Sequence, residues 1–372
     1  MASIHKDKKR NSYYIKHNHT TYRGFKTKYE AEIFKAKLLI DDTEINNSLN
    51  NITFIDLSSK YLDYLKTNSS YATYSKYSNI INNILIPNIS DLSSKKICDI
   101  NENDCDYVRN FIINLNYSTS YKNNIISVYK CIFKYAYKYY DLSIDPSRFM
   151  EKIKLTYNER LNKRLKEANI WSIEEFNKFI NEVSNIQYKL LFTTLYFTGM
   201  RLGEALALKW YDIYDCKINI YKNLTRKTDS GIYEIKEPKT TYSERCISIN
   251  KSLYKSLLEY KEQEKRICGF SEDWFVFGRI DPLPQTSIDR IKDKAISKAN
   301  VKRIRIHDFR HSHASYLISN GISLPSVSKR LGHSDINITL SIYTHVIKKV
   351  DDDMVDFLEE NYTKVLTKFS RK

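Results

Sequence analysis

Residues 305–345 read RIHDFRHSHASYLISNGISLPSVSKRLGHSDINITLSIYTH. The stretch holds His307-Asp308-Phe309-Arg310-His311, then Leu331-Gly332-His333, then Tyr343-Thr344-His345. Phe309, Ala314, Leu317 and Ile318 recur at helical spacing and Gly321 closes the run, so His307 and Arg310, three residues apart, share one helix face. Pro325 in a first turn and Gly332 after a last one mark a second short helix, Leu324 to Leu331, with His333 at its end. Tyr343 falls on a further short helix, placed to approach the same point from another side. Cations and neutral donors stabilise the charge that builds on a phosphate under attack, and a hydroxyl supplies the nucleophile.

Taken singly these residues say little. The chain holds 30 tyrosines, and a lone histidine is more often a packed or surface residue than a catalyst. His307, His311 and His313 also compete as a metal cluster. Arg310 places a fixed positive charge among them, and the helix has no His-Glu-x-x-His signature, so neither a metal nor another cofactor is expected.

Composition narrows the partners. Across 372 residues, 60 Lys and Arg against 44 Asp and Glu leave a charge of +16, with a pI near 9.3. A chain this basic calls for a polyanion. A membrane surface is the competing anion, but there is no apolar run of about 18 residues and no signal-like stretch, so a cytoplasmic protein without a membrane partner is expected. Cys98, Cys105, Cys131, Cys216, Cys246 and Cys268 are scattered without a C-x-x-C pair, which suits free thiols in a reducing compartment.

In chain order, residues 1–46 read as a small module. Ser3 to Lys6, Ser12 to Lys16 and Thr20 to Phe25 are short β-prone runs, and Thr27-x-x-Glu30 is a capping box that opens a helix over them. Its basic residues include Lys8, Lys9, Arg10, Lys16, Arg23 and Lys26, suited to a DNA groove. Residues 52–145 follow a helical period, with Pro87 breaking the second run. Over 146–168 the periodicity fades and charges crowd, Lys163 and Arg164 among them, as in a basic linker lying along phosphates. Ser172-x-x-Glu175 opens the largest domain, 169–348. There an apolar helix ends at Thr198-Gly199, and Arg201 follows with Glu204 one turn on, able to hold its guanidinium. Strands are expected at Lys217 to Tyr221, Tyr233 to Lys236, Arg245 to Ile249 and Trp274 to Phe277. Lys239 lies on the Pro238 to Ser243 loop, with Lys236 and Lys227 as rivals for its part. Residues 349–372 are spaced as an amphipathic tail helix.

Thr198-Gly-Met-Arg-Leu-Gly-Glu204, Pro238-Lys-Thr-Thr-Tyr-Ser-Glu-Arg245, His307-Asp-Phe-Arg-His-Ser-His-Ala314, Leu331-Gly-His333 and Tyr343 occur in this order. Together they make the chain resemble the tyrosine recombinases, specifically the integrases of phages and integrative elements. The resemblance implies a multidomain protein, mainly α with small β-sheets: an arm-type DNA-binding module, a helical core-site-binding domain and a mixed α+β catalytic domain. It implies that Tyr343 attacks a scissile phosphate to give a 3′-phosphotyrosyl link. Arg201 and Arg310 would clamp the nonbridging oxygens, Lys239 would protonate the leaving 5′-oxygen, His307 would assist proton transfer, and His333 would donate to the phosphate. Glu204 would be structural. The implied partners are double-stranded DNA at core and arm-type sites, three further copies in a tetramer on DNA, an excisionase and a DNA-bending host factor. A tail of this kind docks on a neighbouring protomer or packs on its own domain.

Two other readings are compatible with the same residues. A type IB topoisomerase would relax DNA within one duplex, and a non-catalytic DNA-binding regulator would not need Tyr343.

Overall fold

A computed structural model of the chain describes residues 3–7, 12–17, 20–32, 34–35, 52–140, 142, 144–160, 169–226, 228–237, 244–332, 358, 359 and 362. The chain divides into two compact units, Met1–Lys163 and Arg164–Lys372. No helix among the described residues is long and apolar enough to cross a membrane.

At the start of the first unit, β1 (Ser3–Asp7), β2 (Ser12–His17) and β3 (Thr20–Phe25) form an antiparallel sheet in that order. Strand alternation sends Ile15 to the face covered by Ala31 and Phe34, with Tyr22 beside it. The other face carries Tyr14 opposite Arg23 and His5, and Lys16 opposite Thr21. His5 stacks on Tyr14 at 5.1 Å, and the Arg23 guanidinium lies 5.8 Å from the same ring. The expected capping box is in place, since Thr27 Oγ1 accepts from Glu30 N at 3.1 Å and Glu30 Oε2 accepts from Thr27 N.

The helical part is built on α1 (Phe54–Asn68), α2 (Tyr71–Ile80), α3 (Glu102–Asn114) and α4 (Thr119–Tyr139). Thr53, Ser70, Asn101 and Ser118 cap their N-termini, and each side chain accepts from a first-turn amide. Phe54, Val108, Tyr129 and Phe133 are fully buried in one apolar cluster. The second run stops at Asn88, one residue past Pro87, with the proline itself still inside the helix. The backbone widens into a π turn at Ile81–Leu85 and stays helical to Asn88. A proline ring collides with the carbonyl four residues back, and the wider turn just upstream makes room for it.

Residues 146–153, expected as the start of a linker, pack on the helical part instead. Met150 is buried in its core, Asn123 exchanges two hydrogen bonds with the backbone of Ile153, and Lys130 Nζ donates to Met150 O at 2.9 Å. Charge density suggested an extended chain, but the side chains of α4 supply backbone partners that composition does not reveal.

In the second unit, α5 (Ile173–Asn181) and α6 (Ile186–Thr198) are followed by α7 (Leu202–Leu206). Next come β4 (Ile213–Tyr214), β5 (Lys217–Ile220), β6 (Asn223–Thr225), β7 (Glu234–Lys236) and β8 (Arg245–Ser248). Strands β4, β5 and β8 make one antiparallel sheet, and β6 and β7 make a hairpin. Helices α8 (Lys251–Glu264), α9 (Gln285–Ala299), α10 (Ile306–Ser319) and α11 (Leu324–Leu331) complete the unit. Trp274 to Phe277 is not a strand. Phe275 makes a single bridge to Lys209, and the chain turns at Gly278, where a Cβ would lie 2.2 Å from Asp281 O, too soon for a ladder to form.

The core is aromatic. Trp171, Phe176, Phe179, Phe192 and Phe309 are almost fully buried and pack ring to ring, with Phe309 5.4 Å from Trp171 and 5.8 Å from Phe192. Each such ring contributes about 1.5–3 kcal/mol by burial. Phe309 thereby fixes α10, so the residues on either side of it are held by the core.

Candidate active site

Helix α6 is mostly apolar and buried from Leu190 onward except at Thr193 and Phe197, and it ends where Gly199 adopts a left-handed backbone with φ of 67°. A Cβ there would also lie 2.5 Å from His313 Cδ2, so both conformation and space demand glycine. Arg201 caps the next helix, α7. Glu204 Oε2 accepts from Arg201 N and Glu204 Oε1 accepts from Arg201 Nη1, each at 2.8 Å. Gly203 lets α7 lie against β6, since a Cβ would meet Asn223 Oδ1 at 2.4 Å and Leu224 O at 2.6 Å. The order Gly199-Met-Arg-Leu-Gly-Glu204 is thus two close approaches with a charge pair between them.

Helix α10 starts when Asp308 accepts from Arg305 N at 2.8 Å. With Phe309 sunk in the core, Arg310 turns inward and is 2% exposed. Its Nη1 donates to Gly199 O at 2.9 Å and its Nη2 to Leu331 O at 2.7 Å, tying the end of α6 to the end of α11. Helix α11 closes on Gly332 with φ of 70°. Its last carbonyls are partnered by guanidinium groups, as the orphaned acceptors of a helix C-terminus require.

His307 keeps an exposed edge on the same rim. Partial desolvation, then the charges of Arg310 and Arg201, hold its pKa below the ordinary histidine range. His307 and His311 meet edge to face at 5.0 Å, and burial followed by the charge on His307 pushes His311 down to about 4. His313 turns away from both. Its Nε2 accepts from Arg330 Nε at 3.1 Å, and burial, then the Arg330 charge, lower its pKa to about 3. Among the described residues no three His, Cys, Asp or Glu side chains converge as metal ligands.

The structure therefore brings Arg201, Glu204, His307 and Arg310 to one place. Lys239, His333 and Tyr343 lie outside the described residues, as do Lys227, Lys8, Lys9, Arg10, Lys163 and Arg164. Of the other basic residues singled out, Lys16, Arg23 and Lys26 are exposed. Lys236, a rival for the part of Lys239, pairs with Glu234 at 2.8 Å.

Two cations that sequence reasoning left unassigned belong to the cluster. Arg245 Nη1 and Nη2 both donate to the Glu204 carboxylate, at 3.1 and 2.8 Å, and its Nε donates to Arg330 O at 2.9 Å. Arg330 bonds His313, Ser248 O and Phe197 O. The available signals were weak: Arg245 ends a quoted motif, and Arg330 reads as an ordinary basic residue in a last helical turn. Burial alone would raise the Glu204 carboxyl, but the bonds and charges of Arg245 and Arg201 keep it below the usual carboxylate value. Two guanidinium groups, Arg201 and Arg245, thus share one carboxylate, while Arg310 and Arg330 donate to backbone carbonyls and to His313, an arrangement with positive charge to spare for a phosphate.

The phage integrase family profile matches residues 163–349. The ICEBs1 integrase of Bacillus subtilis is 31% identical over 346 residues, covering 90% of each chain. A XerC-like tyrosine recombinase of Caldanaerobacter subterraneus is 29% identical over 361 residues, again covering 90% of each. In fold, the chain resembles the Tn1549 transposon integrase solved in complex with transposon right end DNA. That likeness has a TM-score of 0.61 at 21% identity and covers 78% of this chain and 95% of that one. With the Arg201, His307 and Arg310 cluster in place and relatives matched along most of its length, the chain belongs to the phage integrase family of tyrosine recombinases.

Proposed function

We infer that this protein is a site-specific DNA recombinase that cuts and rejoins strands through a 3′-phosphotyrosyl intermediate, in the integration and excision of a mobile element. The observation that carries the chemistry is the cluster in which Arg201, half open to solvent, stands beside His307 and the buried Arg310 with one carboxylate among them. Planar forks suit the nonbridging oxygens of a phosphate better than ammonium groups do. Arg201 and Arg310 take that role. Tyr343 is the nucleophile, and with an ordinary pKa of about 10 it needs a proton acceptor and cationic surroundings. His307, held neutral near pH 7, is that acceptor. Lys239 protonates the departing 5′-oxygen and His333 donates to the phosphate. Each phosphodiester is conserved in the covalent link, so no nucleotide is consumed.

The N-terminal sheet, with Tyr14, Lys16 and Arg23 on its open face, is the arm-type DNA-binding module, and the helical part of the first unit binds the core site. The assembly is a tetramer on two core sites, with an excisionase and a DNA-bending host protein setting direction. A two-duplex assay separates this reading from a topoisomerase-like one. Strand exchange between differently labelled duplexes supports recombination, and cleavage and resealing confined to one duplex would overturn it.

A further inference from the structure

Arg201 and Arg245 approach the Glu204 carboxylate from two directions, 41 residues apart on the Arg245 side. The two cations differ in exposure: the Arg201 side chain is 37% exposed and the Arg245 side chain 8%, with Glu204 at 5%. A single carboxylate is enough to neutralise Arg201, so charge balance does not account for a second, buried guanidinium. Orientation does. A glutamate has three rotatable bonds, and one held only by Arg201 would follow that side chain as it moved. Arg245 grips both oxygens with its fork and is itself anchored through Nε to Arg330 O at the end of α11. The carboxylate is fixed from behind, and Arg201 is aimed by a fixed partner.

We propose that Arg245 is a positioning residue for strand cleavage, acting on Arg201 through Glu204. The proposal rests on the recombinase reading and extends it to a residue that need not touch DNA. A lysine at 245 would supply the charge without the fork, so Arg245→Lys tests orientation in particular.

The experiment uses the full chain, as wild type, Arg245→Lys, Arg201→Lys and the double variant, on a duplex carrying a DNA site to which wild type becomes covalently joined. It records the duplex Kd, the thermal unfolding midpoint and the single-turnover rate of covalent adduct formation at saturating protein. Arg245→Lys is expected to bind within about twofold of wild type and to form adduct about tenfold or more slowly, a loss realised in the chemical step. In the Arg201→Lys background the same change is expected to alter the rate by less than about twofold, because no fork remains to be aimed. Arg245→Gln, which keeps one donor toward Glu204, repeats the test should the lysine variant unfold. A wild-type rate in Arg245→Lys, or an equal loss in both backgrounds, overturns the positioning role. Wild type that forms no adduct on any DNA rejects the recombinase reading itself, and the positioning role with it.

Discussion

Arg310 Nη1 donates to Gly199 O at 2.9 Å across 111 residues of chain, while Nη2 of the same guanidinium reaches Leu331 O. One buried side chain therefore holds the turn that presents Arg201 against the turn that leads to His333. Arg310→Lys cannot span both carbonyls. Leaving one buried acceptor unpaired costs about 1–3 kcal/mol, so denaturant unfolding should show a loss of that size together with slower adduct formation. Unchanged stability would mean that this bond does not hold the two turns.

Gly199→Ala meets two penalties. The left-handed backbone disfavours any Cβ by about 1 kcal/mol, and the contacts at 2.5 Å with His313 and 2.8 Å with Leu331 add about 1–3 kcal/mol of overpacking. Gly269→Ala is the control, with φ of 82° and nothing within 4 Å of its Cβ. Equal losses at the two positions in urea titrations would show that packing around Gly199 is slack.

His313 should make the second unit acid-sensitive. Unfolded, it takes up a proton near 6.5, whereas folded it stays neutral down to about 3. The unfolded chain therefore binds more protons in this window. The stability is fully present above 6.5 and is lost as pH falls toward 3, by at most about 1.4 kcal/mol per pH unit. His313→Gln keeps an acceptor for Arg330 and removes the titration. Unfolding free energies between pH 7 and 5 should fall less steeply in this variant, and an unchanged slope would assign the acid sensitivity elsewhere.

As the proposed proton acceptor, His307 should set the pH dependence of cleavage. With its pKa depressed below 6.5, first by desolvation and then by Arg310 and Arg201, it is neutral at pH 7. Single-turnover cleavage should be on its plateau there and decline only below 6.5, and His307→Gln should lower the plateau and abolish that limb. A limb centred above 6.5, or one that survives in His307→Gln, would name a different base.

The sequence made the local parts of this site readable. Gly199, Gly321 and Gly332 punctuate the right helices, and a spacing of three pairs Arg201 with Glu204, because helix geometry makes such neighbours predictable. The long-range parts were not readable. Arg245 reaches Glu204 from 41 residues away and Arg330 O from 85, and no spacing rule encodes a contact set by the packing of β8 against two helix ends. The same limit explains Trp274 to Phe277. An apolar run of that length fits a strand or a core plug equally well, and the turn at Gly278 decides for the plug.

The proposed mechanism requires that Tyr343 become joined to DNA. Wild type and Tyr343→Phe would be incubated with fragmented DNA of the source cell in the presence of a chelator, then denatured, and whatever stays attached would be sequenced. Attachment by wild type alone, concentrated at one discrete locus, is the predicted result. Equal attachment by both proteins would remove Tyr343 from the reaction, and attachment by neither would contradict the account.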